Sequence, residues 1–215
     1  MTFRHALCLY HNSMNSPQHI AFRNATLADV PAVVFLVESA YRGEVSRAGW
    51  TTEADLLDGQ RTDDIEVSVI ISGAHSRIRL AEQRAVSEQL RHPTNAATPA
   101  QERALPHAPA LVGCVRIEHA GDAGYIGMVS VLPTMQSAGI GRKLLNEAER
   151  VIRDELRLPC ARMTVIGQRD TLIAWYQRRG YSLTGKQEKF PYGQPRAGMP
   201  RRDDLYFEVL EKRLA

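Results

Sequence analysis

Cysteine is scarce in this sequence, with three in 215 residues, at Cys8, Cys114 and Cys160. An odd number placed so far apart offers neither a disulfide framework nor a zinc-ligand spacing. A reducing cytoplasm is the expected compartment, and no metal site is expected. Cys114 sits inside an apolar strand pattern and reads as core rather than as a nucleophile. Long apolar runs are missing as well. No stretch reaches the ~18 residues a membrane-spanning helix needs, and the N-terminal run Ala6–Tyr10 is too short for a signal peptide. Charge of one sign is also lacking: 27 Lys and Arg against 24 Asp and Glu leave a net +3. Nucleic acid usually asks for a concentrated basic face. Neither nucleic acid nor a membrane is therefore an expected partner.

What is present is ordinary for a globular chain. Hydrophobic residues make up 44% and charged residues 24%, enough for one domain with a substantial core. The expected layout is a flexible tail over 1–19 and a single domain over 20–215, interrupted by an insertion at about 83–109. In that insertion Ala, Gln, Glu and Arg mix with Pro93, Pro99, Pro106 and Pro109, a composition that resists a packed core. His5, His11 and His19 could in principle cluster around a metal, but they fall in the tail.

Along the chain, a strand is expected at Ile20–Arg23. Thr26-Leu27-Ala28-Asp29 is a variant capping box, and Val30, Val33, Val34, Val37 and Tyr41 follow on one helical face. A second helix start is read at Thr52-Glu53-Ala54-Asp55, with Gly59 as its stop. Thr62–Ser72 alternates like a strand yet opens with an acidic helix start, and a short helix is preferred. Strands are expected at Ser76–Glu82, at Leu111–Glu118, at Tyr125–Val131, at Ala161–Ile166 and at Leu205–Leu210. A helix beginning at Leu172 ends by Gly180.

The most informative stretch is Gln136-Ser137-Ala138-Gly139-Ile140-Gly141-Arg142-Lys143. The apolar run Tyr125–Val131 precedes it. After it, Ile140, Leu144, Ala148, Val151 and Ile152 recur at helical spacing, so the pattern is strand, turn, helix. Glycines at the turn leave backbone N–H groups open at the positive end of a helix dipole, which makes an anion site. Arg142 and Lys143 oppose that dipole at ~0.3–1 kcal/mol each, a penalty that a bound polyanion reverses. The alternative is a solvated, basic helix start. A dinucleotide fingerprint would need a small residue where Leu144 stands, and a Walker loop would need Gly-Lys-Ser/Thr.

The pattern Gln136-x-x-Gly139-x-Gly141 after Val129-Ser130-Val131-Leu132-Pro133 resembles the pyrophosphate loop of the GNAT (GCN5-related) N-acetyltransferases. Trp175-Tyr176-Gln177-Arg178-Arg179-Gly180-Tyr181 resembles a second signature of that superfamily. The resemblance implies an α/β GNAT fold: a mixed, mostly antiparallel central sheet flanked by helices, with splayed fourth and fifth strands. It implies transfer of acetyl from acetyl-CoA to an amine, most simply that of a small molecule. Cofactor contacts would come from Val129, Ser130, Val131, Gln136, Ser137, Ala138, Gly139, Ile140, Gly141, Arg142 and Lys143. Tyr176 would protonate the leaving thiolate. Glu44 and Glu53, in the segment that walls the acceptor site in the family, are the candidate bases; surface pairs and caps are the alternative for both.

Two departures stand out. Arg169 replaces an Asn that many relatives carry seven residues before the Tyr, and Thr164 stands where some relatives carry a catalytic Glu. The aromatic, basic loop Phe190–Arg202 would overhang the acceptor site. A peptide acceptor and a non-catalytic acyl-CoA sensor are the other readings, and a homodimer is compatible with all three.

Overall fold

Alternating apolar residues in eight-to-eleven-residue runs, together with shorter flanking ones, pair into a seven-stranded sheet in this computed structural model, which describes residues 19–83, 110–194 and 198–215. The insertion and all of the N-terminal tail but His19 lie outside the described residues. The strands are β1 (Ile20–Asn24), β2 (Leu57–Asp58), β3 (Ser76–Gln83), β4 (Ala110–Ala120), β5 (Ala123–Val131), β6 (Cys160–Ile166), β7 (Ser182–Lys189), β8 (Met199–Pro200) and β9 (Tyr206–Arg213). In the main sheet the order is β1-β3-β4-β5-β6-β9-β7, and β2 pairs with β8 in a separate ribbon. Every neighbouring pair in the main sheet is antiparallel except β5–β6, which is parallel. This is the mixed, mostly antiparallel sheet expected from the sequence.

The helices are α1 (Val30–Tyr41), α2 (Gly43–Ser46), α3 (Asp64–Ser72), α4 (Ile140–Arg150) and α5 (Asp170–Gln177). On one face α1 and α3 pack over β3–β5 through Val33, Leu36, Val37, Val67 and Ile70 against Ile78, Leu80, Cys114 and Met128. On the other, α4 and α5 bury Ile140, Leu144, Leu145, Ala148, Leu172 and Ile173 against Val115, Ile117, Ile126 and Met163. Successive strand residues thus feed opposite cores, as the two-residue period requires. Among the described residues no helix is long and apolar enough to cross a membrane.

Local signals account for most element ends. The Asp29 carboxylate accepts from the Thr26 backbone N–H at 2.7 Å and from the Thr26 hydroxyl at 2.8 Å, which fixes the entry to α1. Asp63 caps α3 by accepting from Glu66 N–H at 2.6 Å. The helix expected from Thr52 is absent. Residues 53–57 form a turn, with Leu56 and Leu57 N–H groups on Glu53 O at 2.8 Å, and Leu57–Asp58 then pairs with Met199–Pro200. Tertiary pairing outweighs the local helix start there. The β7 strand carried no sequence signal because it is an exposed edge with no apolar alternation.

Between β5 and β6 the pairing covers only Gly124↔Ala161 and Tyr125↔Arg162; beyond these the strands part. At the junction a Cβ on Gly124 would lie 2.4 Å from Cγ1 of Ile152, a fully buried side chain after α4. Gly124→Ala should therefore destabilise the fold by ~1–3 kcal/mol, measured by chemical denaturation. A change within about 0.5 kcal/mol of the wild type would show that the contact yields freely and does not hold the junction.

Candidate active site

The parting of β5 and β6 opens a groove, and two cavities meet in it. A bulge in β5 helps: Cys114 pairs with Ser130 but Arg116 with Gly127, so the register slips between them. Met128 takes a positive φ of 52° there. The extra residue bends the strand and re-aims its backbone. Tyr41, at the end of α1, donates its hydroxyl to the Val129 carbonyl at 2.7 Å, tying the helix to the bulge.

The first cavity, about 300 Å³, lies at the start of α4. Of the loop residues singled out from sequence, Val129, Val131, Gln136, Ser137, Gly139, Gly141 and Arg142 line it. Ser130 and Ile140 are buried in the protein, and neither they, Ala138 nor Lys143 lines the cavity. Gly139 precedes the helix at φ 77°, a left-handed conformation that suits glycine. The first backbone bond of α4 runs from Lys143 N–H to Gly139 O at 3.1 Å, so the N–H groups of Ile140, Gly141 and Arg142 stay available, as at any helix start. Arg142, Arg169 and Arg179 line this cavity, and among the described residues no Asp or Glu does. The Arg179 guanidinium stacks 3.5 Å from the Trp175 ring centre, and its Nε has no hydrogen-bond partner among the described residues. Helix start and cations together favour a polyanion.

Gln136 works differently from a simple ligand contact. Its Oε1 accepts from Trp50 N–H at 2.9 Å, while its Nε2 donates to Thr51 Oγ1 at 2.8 Å and to Val131 O at 3.2 Å. The side chain thus staples the 50–51 segment across the groove to the glycine loop.

The second cavity, about 230 Å³, lies on the α1 and α3 side. Tyr41, Val129, Arg169, Leu172 and Tyr176 line both cavities, so they mark the passage between them. Tyr176 is 6% exposed and packs edge-on against Trp175 and Tyr181. Its hydroxyl makes no hydrogen bond to a described residue. Burial raises its pKa, with the neighbouring Tyr41 phenol adding to the rise, so Tyr176 carries its proton throughout the physiological range. Burial likewise pushes the Tyr41 phenol up to about 12 and the Cys114 thiol to about 12, which makes Cys114 an inert core residue.

The two candidate bases part company. The Glu44 side chain is 91% exposed, pairs with Arg47, and lines neither cavity; the short α2 carries it outward. Glu53 does line the second cavity, but Arg42 holds one of its oxygens and Arg169 Nη1 the other at 2.9 Å. Burial pushes its carboxyl up, yet Arg169, Arg42 and Arg61 together outweigh burial and hold it below the usual carboxylate range. A carboxylate so held is a poor proton acceptor. Arg169, the departure from the resemblance, therefore replaces a neutral side chain with one half of a buried ion pair.

Sequence reasoning missed Arg42, Arg61, Arg116 and Tyr125 as cavity residues. One signal was available. Cys114, Arg116 and Glu118 alternate along β4 with Val115 and Ile117, and an Arg facing inward from a central strand is costly unless it is paired or used. Arg42 and Arg61 left no comparable trace, since turns and loops carry arginines freely.

Against known proteins, residues 107–183 match the family described as the acetyltransferase (GNAT) domain. Similar solved structures include a spermidine/spermine N-acetyltransferase from Vibrio cholerae (TM-score 0.57, 12% identity, 92% of this chain and 93% of that one). Others are the ribosomal-protein-S18-alanine N-acetyltransferase from Escherichia coli (0.57, 11%, 92% and 95%) and an IAA acetyltransferase from Bacillus cereus (0.54, 12%, 91% and 100%). No curated protein sequence matches the chain.

Breaking the buried Glu53 pair should be expensive. Glu53→Gln leaves two guanidinium groups uncompensated and should cost ~3–5 kcal/mol, whereas Glu44→Gln should stay within about 0.5 kcal/mol. The folded-state carboxyl sits below its unfolded pKa of about 4.3. The advantage of wild type over Glu53→Gln is therefore full above the unfolded pKa and is lost progressively as pH falls below it and through the lower folded-state pKa. Denaturant unfolding at pH 7 and at about pH 3 measures both effects. Equal stability of wild type and Glu53→Gln at pH 7 would refute the ion-pair account.

Proposed function

We propose that this chain is a GNAT-family acetyltransferase using acetyl-CoA, a reading supported by the match of residues 107–183 to the acetyltransferase (GNAT) domain, and that it acetylates the amine of a small molecule by direct transfer in the β5–β6 groove. The observation that carries this is the pairing of two cavities through Tyr176. One is lined by cations and a helix start with no carboxylate, the other is small and partly walled by aromatic side chains. Acetyl-CoA would lay its pyrophosphate on Ser137–Arg142, with Arg142 and Arg179 as counter-charges. Its thioester would then reach the passage beside Val129 and Tyr176.

The chemistry follows from placement. A neutral amine held in the second cavity forms a C–N bond to the acetyl carbon as the C–S bond breaks. A backbone N–H near the end of β5, around Val131, is the donor we assign to the carbonyl oxygen. Tyr176 gives its proton to the departing thiolate. The proton shed by the amine passes into water, because Glu53 is engaged by arginines and Glu44 faces away, and water returns a proton to the Tyr176 phenolate, so no net proton is gained or lost. A cavity of about 230 Å³ lies below the ~300–1,000 Å³ of ordinary ligand pockets, which favours a small acceptor over a folded protein surface.

Two experiments test this reading. The atoms nearest to a Cβ on Gly141 belong to Trp175 and Val131, at 3.7 Å and beyond, so Gly141→Leu should fold normally while its side chain fills the anion cavity. Calorimetry should then show acetyl-CoA affinity reduced at least tenfold; unchanged affinity would refute the cofactor assignment. Tyr176→Phe keeps the ring and removes one oxygen. General-acid catalysis is worth ~10²–10⁴-fold, and a thiolate is already a fair leaving group, so kcat should fall toward the lower figure with CoA affinity retained. A full-rate Phe variant would reduce Tyr176 to packing.

A further inference from the structure

The acceptor cavity has an electrostatic character that the acetyl-transfer chemistry does not require. Four guanidinium groups line it, from Arg42, Arg61, Arg116 and Arg169, against two carboxylates, Glu53 and Glu66. Glu53 is shared between Arg42 and Arg169. Arg116 turns to Glu118, outside the cavity wall. Glu66 accepts from the Thr62 hydroxyl at 2.8 Å. Arg61 is left: among the described residues its half-buried guanidinium donates no hydrogen bond, lies 5.6 Å from the Tyr41 ring centre, and is balanced only through space by Glu66 and by Glu53, which it shares with Arg42 and Arg169. Arg42, with a side chain only 6% exposed, also keeps Nε and Nη2 without a partner among the described residues.

Buried cations left unpaired are costly, and buried polar groups normally find partners. An acceptor with a second positive charge would add to the surplus. An acceptor with an oxyanion would offset it, and a guanidinium fork matches a carboxylate through two parallel hydrogen bonds. The cavity is also divided in character. Leu57, Phe190 and Phe207 give it an apolar wall, with the two Phe rings stacked 5.6 Å apart.

We propose that the acceptor is a small amine that also carries a carboxylate or a related oxyanion. Its anionic group rests on Arg61 and its apolar body against Phe190 and Phe207, and the nitrogen is left free toward Val129 and Tyr176. Arg61 would be the specificity-determining residue, and Arg42 would serve as a second donor. This rests on the acetyl-transfer reading above and narrows it to a substrate class, since a polyamine or a neutral amine leaves the surplus charge unanswered.

The test uses the intact protein with acetyl-CoA and matched acceptors: L-methionine and L-phenylalanine, their carboxamides, 2-aminoethylphosphonate, and spermidine, read by thiol release. The carboxylates or the phosphonate should exceed the carboxamides in kcat/KM by at least about 100-fold, with spermidine lowest. The phosphonate arm tells which oxyanion is preferred. Arg61→Gln should raise KM for the preferred acceptor 10- to 100-fold with kcat changed less than threefold, narrowing its lead over the carboxamide. Turnover of carboxamides or spermidine as fast as the oxyanion acceptors would overturn the substrate class while leaving acetyl transfer intact. If no amine releases thiol although CoA binds, the catalytic reading fails, and calorimetry of the same acceptors on the CoA-saturated protein decides this one. Binding of an oxyanion acceptor that Arg61→Gln weakens tenfold supports it, and no binding, or binding unaffected by the substitution, refutes it.

Discussion

A parallel pair of strands that holds together for two residues and then separates is the constraint from which the site follows. Hydrogen bonding between β5 and β6 stops after Tyr125↔Arg162. Backbone groups beyond that point cannot complete a ladder with each other. The protein resolves this in three ways: β6 pairs along its whole length with β9, β5 pairs with β4 on its other side, and the remaining space becomes a groove. Tyr125 and Thr164 still touch across it, hydroxyl to hydroxyl at 2.9 Å. The bulge at Met128 and the Tyr41 bond to Val129 then orient the backbone that faces the groove.

Charge is sorted along this groove. At the start of α4 the charged side chains that face the cavity are, among the described residues, all cationic, which suits a polyanion held by backbone N–H groups and guanidinium groups together. Past Tyr176 the charges are mixed, and Glu53 joins Arg42 from one side of the cavity to Arg169 from the other. Arg169 also donates to the Thr51 carbonyl, and Thr51 is bonded in turn to Gln136 on the glycine loop. Arg169 and Gln136 thus connect the two cavities through the 50–53 segment. Because each bond in that chain is made by a group that is at least partly buried, loss of one member leaves its partner without the water that would otherwise replace it.

Much of this architecture is local and was readable from the chain alone. The glycine loop declares itself because strand, Pro turn, two glycines and an amphipathic helix each obey a short-range rule, and they agree. The α3 segment is similar: Asp63, Asp64 and Glu66 mark a helix start strongly enough to prevail over an alternating pattern. Tyr176 was singled out by the resemblance of Trp175–Tyr181 to a GNAT signature, a local pattern of the same kind. In contrast, Thr52-Glu53-Ala54-Asp55 carries a valid helix start that long-range pairing of Leu57 and Asp58 with Met199 and Pro200 overrides.

The acceptor cavity belongs to the second kind. Arg42, Glu53, Arg61, Arg116 and Arg169 come from five separate places in the chain, and apart from the β4 alternation around Arg116 and the spacing of Arg169 to Tyr176 no local pattern points to them. Which carboxylate faces inward and which faces solvent distinguishes Glu53 from Glu44, nine residues apart on a stretch of similar composition. Periodicity and turn chemistry act over a few residues, so they determined the strands, the helix starts and the anion loop. Burial and ion pairing act across the closed fold, so the charge of the second cavity, and with it the acceptor class proposed for it, was decided only when the chain had folded around it.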